Sequence, residues 1–307
     1  MINKTDYIRL NNSFKHALTY SYENLGFFSN FNNMILTMAF CLKNRLRFRV
    51  FCKNNDLFAP RGWETLFLPM EFETKNPFFA HFNFRKKLLL GSGLNEWIHM
   101  AINSLYPLLT GNNLVNAAYP DNRTFWFLKE HFRIPELDFS GSLRELCHEL
   151  VKITYVFNED IRIKIDSYKS SIDLPERYIS MQIRRGDKDT ERELLPTQLY
   201  IDRASQLSSI RNAFILTDDY TVIEELNSVY PEWNFYTLTK PTERGYHYNA
   251  VVGDGKEEWI KLFAAMEIMA HSELFVGTVS ANPGMFLGMV MPPAKASYLD
   301  SPEWVLI

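Results

Sequence analysis

Two arginines, Arg184 and Arg185, stand side by side directly after the short apolar run YISMQI (178–183). Paired guanidinium forks at a strand end form a donor site suited to phosphate oxygens. Gly186, next in line, lets the backbone come close to a ligand. The same stretch also fits a solvated ion-pair turn, because Asp187 and Asp189 are adjacent. Asp187-Lys188-Asp189 spells D-x-D, a pattern that can hold a divalent metal bridging phosphates, but the two arginines oppose a cation there. His81, His99, His131, His148, His247 and His271 are scattered and supply no ligand cluster, so no metal is expected. Further along, Thr217-Asp218-Asp219 closes the run AFIL, and Asp219 suits the cap of the helix that follows. Thr278, Ser280 and Asn282 follow the run ELFVG. Ala281-Asn282-Pro283 reads as a helix start whose N–H groups suit a phosphate or a plain cap. Neither G-x-G-x-x-G nor a P-loop pattern occurs, which leaves dinucleotide and P-loop readings unsupported.

These motifs need elements to hold them. Strands are predicted at 178–183, 213–219, 233–238 and 273–278, separated by helices near 197–208, 221–231 and 257–272. Strand and helix alternating through short connections give a parallel sheet with crossover helices. A doubly wound sheet binds its ligand at the carboxyl ends of the strands, where RRGDK and TDD fall. In the N-terminal half, residues 1–20 read as a loose lead-in. Asn30 or Asn32 is expected to cap a helix through Met34, Leu36, Met38, Phe40 and Leu42, ended by Lys43 and Arg45. RFRVF (47–51) alternates like a strand, and the breakers Pro60, Gly62 and Pro69 mark a loop. Residues 94–170 read mostly as helices, most strongly over 143–165.

Composition sets the outer limits. A chain of 307 residues exceeds the usual size of one core and predicts two domains, 1–172 and 173–307. Hydrophobic residues at 46% and charged residues at 22% exclude a disordered or coiled-coil chain. A net charge of −3 gives no pull toward nucleic acid, so an anion must be met locally. Aromatic residues reach 15%, enough to serve both a core and a sugar-facing cleft; Phe27, Phe28 and Trp63 are candidates for the latter. Cys41, Cys52 and Cys147 are too few and too spread for a disulfide framework. With no apolar leader and no membrane-length apolar run, a cytosolic protein is expected.

Taken together and in order, the motifs resemble the α1,6-fucosyltransferase-like glycosyltransferases. The family's H-x-R-R-x-D-K is similar to Gln182-Ile183-Arg184-Arg185-Gly186-Asp187-Lys188. Its A-T-D-D resembles Leu216-Thr217-Asp218-Asp219, with Tyr230-Pro231 ending the next helix. Its late C-T-F-S-S-Q resembles Gly277-Thr278-Val279-Ser280-Ala281-Asn282. Upstream, its glycine loop and G-G-W-E-T-x-F-x-P segment resemble Gly26-Phe27-Phe28-Ser29 and Gly62 to Pro69. The resemblance runs from about residue 22 to about 297.

It implies a GT-B-like α/β fold of two facing Rossmann-type domains, acceptor-side in the N-terminal half and nucleotide-sugar-binding in the C-terminal half. It implies metal-free, inverting transfer of a sugar, fucose from GDP-fucose, to a glycan hydroxyl. The donor would be held by Gln182, Arg184, Arg185, Asp187, Asp218, Asp219, Thr278, Ser280, Asn282 and Gly26. Arg184 would meet the pyrophosphate, while Lys188 and Glu191 serve the reacting hydroxyl. Glu191 aligns only with a one-residue deletion, and Asp189 and Glu193 are rivals. Gln182 replaces a histidine that helps hold guanine, and the family's guanine-reading aspartate falls at Ala265, near Glu267. UDP-xylose is therefore an alternative donor, and a non-catalytic carbohydrate-binding protein is the alternative of another class.

Overall fold

The computed structural model describes residues 1–76, 78–79, 105–106, 108–116, 131–185, 194–245 and 255–304. The chain divides into two compact units, Met1–Asn158 and Glu159–Ile307.

In the first unit the opening residues are not a lead-in. Asn3 caps helix α1 (Lys4–Ser13), its side chain accepting the N–H groups of Thr5 and Asp6. Strand β1 (Ala17–Ser21) follows and is buried at every position. It is the middle strand of a parallel sheet ordered β2–β1–β3, with β2 at Arg47–Phe51 and β3 at Asn113–Asn116. A strand buried on both faces has no polar alternation to read, which is why ALTYS was not legible as one.

Helix α2 (Phe27–Lys43) links β1 to β2 and starts earlier than expected, at Gly26 rather than Asn30 or Asn32. Asn30 lies inside the helix, where its carboxamide accepts from Glu23 N–H at 3.1 Å and donates to Glu23 C=O at 3.1 Å. It ties down the preceding loop instead of capping the helix. The aromatic surplus goes largely here. Phe27, Phe31, Trp63 and Phe67 are fully or almost fully buried, with Trp63 stacked on Phe67 at 4.6 Å between centroids. Phe28 is only 2% exposed. Phe27, Phe28 and Trp63 are therefore core residues, contrary to a cleft-facing role. A small antiparallel pair, β4 (Phe132–Ile134) and β5 (Phe139–Gly141), precedes helix α3 (Leu143–Thr154). Ser142 and Glu145 form a reciprocal capping box at its start. The helical stretch expected over 143–165 is thus two helices. Between them the chain turns extended, and Phe157 pairs with Phe67.

The second unit opens with α4 (Glu159–Ser170), inside the segment 1–172 that the sequence suggested for the first domain. Its charged face explains the placement. Arg162 and Lys169 pair with Glu267, and Tyr168 Oη donates to Glu257 at 3.0 Å. Both acidic partners lie on α7 (Gly255–His271).

The sheet of this unit has five parallel strands: β6 (Ile179–Gln182), β7 (Asn212–Leu216), β8 (Asn234–Tyr236), β9 (Phe275–Gly277) and β10 (Ala296–Tyr298). They lie in the order β10–β9–β6–β7–β8. Helices α5 (Thr197–Leu207), α6 (Thr221–Val229), α7 and α8 (Asn282–Val290) make the connections. Ile179, Met181, Ile215, Val222, Leu226 and Val276 pack in its core. In order of appearance the spatial sequence is 3-2-1-4-5, the doubly wound arrangement, and its switch point lies between β6 and β9.

Candidate functional site

The switch point is where the chain leaves β6 in one direction and returns through β9 from the other. In doubly wound sheets the ligand crevice lies at such a point, beyond the carboxyl ends of both strands. Gln182 ends β6, Arg184 and Arg185 follow it, and Thr278, Ser280 and Asn282 follow β9. These six residues were singled out from sequence, and the topology gathers them at one sheet edge.

Gln182 is 4% exposed, and its Oε1 has no hydrogen-bond partner among the described residues. A Cβ placed on Gly284 would lie 3.0 Å from that oxygen and 2.0 Å from the Thr278 carbonyl oxygen. Gly284 therefore lets the first turn of α8 pack directly over the end of β9, with the carboxamide of Gln182 beside it. Gly277, at the end of β9, makes room for the Phe275 ring, whose Cζ a Cβ there would meet at 2.3 Å, with Gln182 Cβ next at 3.3 Å. An orphaned buried acceptor costs about 1–3 kcal/mol, so this oxygen is a natural partner for a ligand donor. Helix α8 begins at Ala281 with no side-chain cap. Its start thus presents the positive end of a helix dipole to the same crevice.

Arg184 is half-buried. Its neighbour Arg185 is committed to the turn: its backbone N–H donates to Asp218 Oδ1 at 2.9 Å. The Arg185 guanidinium donates to the carbonyls of Leu195, at 3.0 Å, and Arg184. Asp218 in turn fastens the end of β7 to the turn after β6. Asp219 accepts from Thr221 N–H at 2.9 Å and Thr221 Oγ1 at 2.8 Å; it braces the helix start from one residue before the N-cap, which is Tyr220 and not Asp219 as expected.

Ser280 differs from expectation. Its N–H and that of Val279 donate to the carboxylate of Asp300, at 3.0 and 2.8 Å. The backbone donors at Ser280 are thus already engaged, and the start of α8 is the remaining anion-facing feature of that loop. Sequence reasoning missed Asp300. The signal was its place directly after the last strand of a doubly wound sheet, where a carboxylate can reach the neighbouring strand's loop. Tyr200, buried between the charges of Arg185 and Asp300, has its hydroxyl pushed up to about 12, chiefly by burial.

A second lacing backs the site. Glu243 C=O accepts from Tyr220 N–H, and Asp218 C=O accepts from Gly245 N–H. The Glu243 side chain meets Lys261 of α7 at 2.6 Å in a buried pair that Glu258 completes at 2.7 Å. Glu267, near the position where the family reads guanine, is engaged elsewhere. Burial pushes its carboxyl up, but the Arg162 and Lys169 pairs outweigh that and hold it below its usual value. Ala265 is buried in the core.

Asp187, Lys188 and Glu191, together with Asp189 and Glu193, lie outside the described residues. Gly26 belongs to the first unit, where it is the exposed N-cap of α2. The three cysteines are free and buried, and burial raises each thiol well above its ordinary value. Among the described residues, no helix is long and apolar enough to cross a membrane.

The chain matches no protein-family model and no curated protein. Solved structures do match it. NodZ α1,6-fucosyltransferase soaked with GDP-fucose aligns at 12% identity over 91% of this chain and 94% of that one, with a TM-score of 0.53. Fucosyltransferase NodZ from Bradyrhizobium aligns at 14% identity, 93% and 96% coverage and a TM-score of 0.53. A variant of Arabidopsis thaliana FUT1 in complex with GDP aligns at 13% identity, 97% and 75% coverage and a TM-score of 0.50. The chain therefore has the α/β fold of these fucosyltransferases.

Proposed function

We propose that the protein is a GT-B-type glycosyltransferase that transfers a sugar, fucose from GDP-fucose, to a glycan hydroxyl. The observation that carries this reading is the switch point of the C-terminal sheet, where the orphaned buried carboxamide oxygen of Gln182 lies beside an uncapped helix start and the half-buried Arg184 follows β6. A nucleotide-sugar offers the matching groups, namely ring N–H donors and a dianionic diphosphate. That two of the structural neighbours were studied with GDP-fucose or GDP supports the choice of ligand class.

In this reading the C-terminal unit binds the donor and the N-terminal unit serves the acceptor, in the cytosol. The acceptor oxygen attacks the anomeric carbon while the bond from that carbon to the diphosphate oxygen breaks. The nucleotide leaves with the electron pair, stabilised by Arg184 and the start of α8. The hydroxyl proton passes to a carboxylate, assigned to Glu191, with Lys188 beside the reacting hydroxyl. Direct displacement inverts the anomeric configuration. Two arginines beside the D-x-D favour charge stabilisation without a metal, so turnover is expected to persist in excess EDTA. A loss of activity restored by Mn²⁺ would return Asp187 and Asp189 to a metal role.

Gln182 in the place of the family's histidine favours a second donor reading, in which the base is uracil, as in UDP-xylose. Incubating the protein with GDP-sugars and UDP-sugars plus glycan acceptors, and measuring nucleotide release, tests both. Release from one class, abolished by Arg184→Ala, supports transfer. No release from any donor would leave a non-catalytic carbohydrate-binding protein on the same fold.

A further inference from the structure

We infer that residues 300–304 form a clasp that sets α8 in place at the switch point, with Asp300 as a positioning residue for donor binding. The inference deepens the donor-site reading and rests on it.

The segment leaves the sheet at β10, where Leu299 N–H donates to Gly277 C=O at 2.8 Å. Asp300 then places one carboxylate oxygen on Val279 N–H and the other on Ser280 N–H. Two successive backbone donors aimed at one carboxylate make an anion nest, filled here by the chain itself. Four residues on, Trp304 Nε1 donates to Met285 C=O at 2.9 Å. Its ring lies against Gly288, where a Cβ would come within 1.9 Å of Trp304 Cδ1. The segment therefore grips the loop before α8 at one end and the body of α8 at the other.

The Asp300 side chain is exposed, so it contributes little to the core. Its negative charge sits beside a crevice read as an anion site, an arrangement unfavourable for donor binding unless it orders something. What it orders is the Thr278–Asn282 loop, and with it the distance between the start of α8 and Gln182.

Hydrogen exchange on the ligand-free protein tests the clasp directly. Asp300→Ala is expected to speed exchange of the amides from 279 to 285 about tenfold, the loss corresponding to a charge-assisted hydrogen bond. Exchange in β6 and β7 should not change. Trp304→Ala should speed exchange along 285–290. The affinity for GDP or UDP, whichever the wild type binds, should fall about tenfold in Asp300→Ala, a loss of one such bond. The thermal midpoint should change little, and Asp300→Asn, with one acceptor oxygen left, should restore part of the affinity. Unchanged exchange over 279–285 would overturn the clasp. Equal or tighter nucleotide binding by Asp300→Ala would overturn the positioning role, the tighter case meaning that Asp300 competes with the phosphate. Should the wild type bind neither nucleotide, the donor reading falls, and the exchange comparison alone decides the clasp.

Discussion

Gly284→Ala is the sharpest steric perturbation of the site. The added methyl would lie 2.0 Å from the Thr278 carbonyl oxygen and 3.0 Å from Gln182 Oε1. The nearer atom is backbone at the end of β9, so it cannot rotate away, and the first turn of α8 must lift. Overpacking of this kind costs about 1–3 kcal/mol. At roughly 2–4 °C per kcal/mol for a unit of this size, the thermal midpoint should fall by about 2–12 °C. Lifting α8 also moves its start away from Gln182 and Arg184, so nucleotide affinity should fall further than stability alone explains. Gly255→Ala is the matched control. Among the described residues nothing lies within 4 Å of its would-be Cβ at the start of α7, and the change should be neutral or stabilise by up to about 1 kcal/mol. Scanning calorimetry and a nucleotide titration on both variants decide the matter. Equal midpoints and equal affinities for Gly284→Ala and wild type would refute the argument that α8 is packed against β9 through a glycine notch.

Other perturbations address the lacing behind the site. Lys261→Met leaves Glu243 buried without its cation and should cost about 3–5 kcal/mol in urea unfolding, whereas replacing both partners with apolar residues should cost much less. For Glu267 the folded carboxyl lies below its usual value. Its contribution is therefore full above about pH 4.3 and lost as pH falls through the lowered folded value. The stability gap between wild type and Glu267→Gln should thus be open at pH 7 and close in strong acid; a gap of equal size at pH 7 and pH 3 would contradict the ion-pair assignment.

The C-terminal unit was legible because its strands are short apolar runs between clear helix and turn signals. YISMQI, AFILTDD, WNFYTL and ELFVGT all became parallel strands within a few residues of their expected limits. Their order placed Gln182, Arg184, Thr278 and Asn282 together, as an edge-binding sheet requires. The N-terminal unit was harder for physical reasons. β1 is buried on both faces and so lacks alternation. Asn30 resembles a cap in sequence, yet its side chain is needed inside the helix to hold residue 23. Composition alone could not separate core aromatics from cleft aromatics; burial of Phe27, Phe28 and Trp63 does so. The contacts of Asp300 and Trp304 join residues about twenty positions apart, a distance over which periodicity carries no information.

The central claim, that the switch-point crevice binds a nucleoside diphosphate, is tested most directly by titrating the protein with GDP and with UDP while following hydrogen exchange. The account predicts saturable binding of one nucleotide, protection confined to residues following β6 and to the start of α8, and loss of both in Arg184→Ala. Saturable binding with protection elsewhere, or binding unchanged in Arg184→Ala, would contradict it.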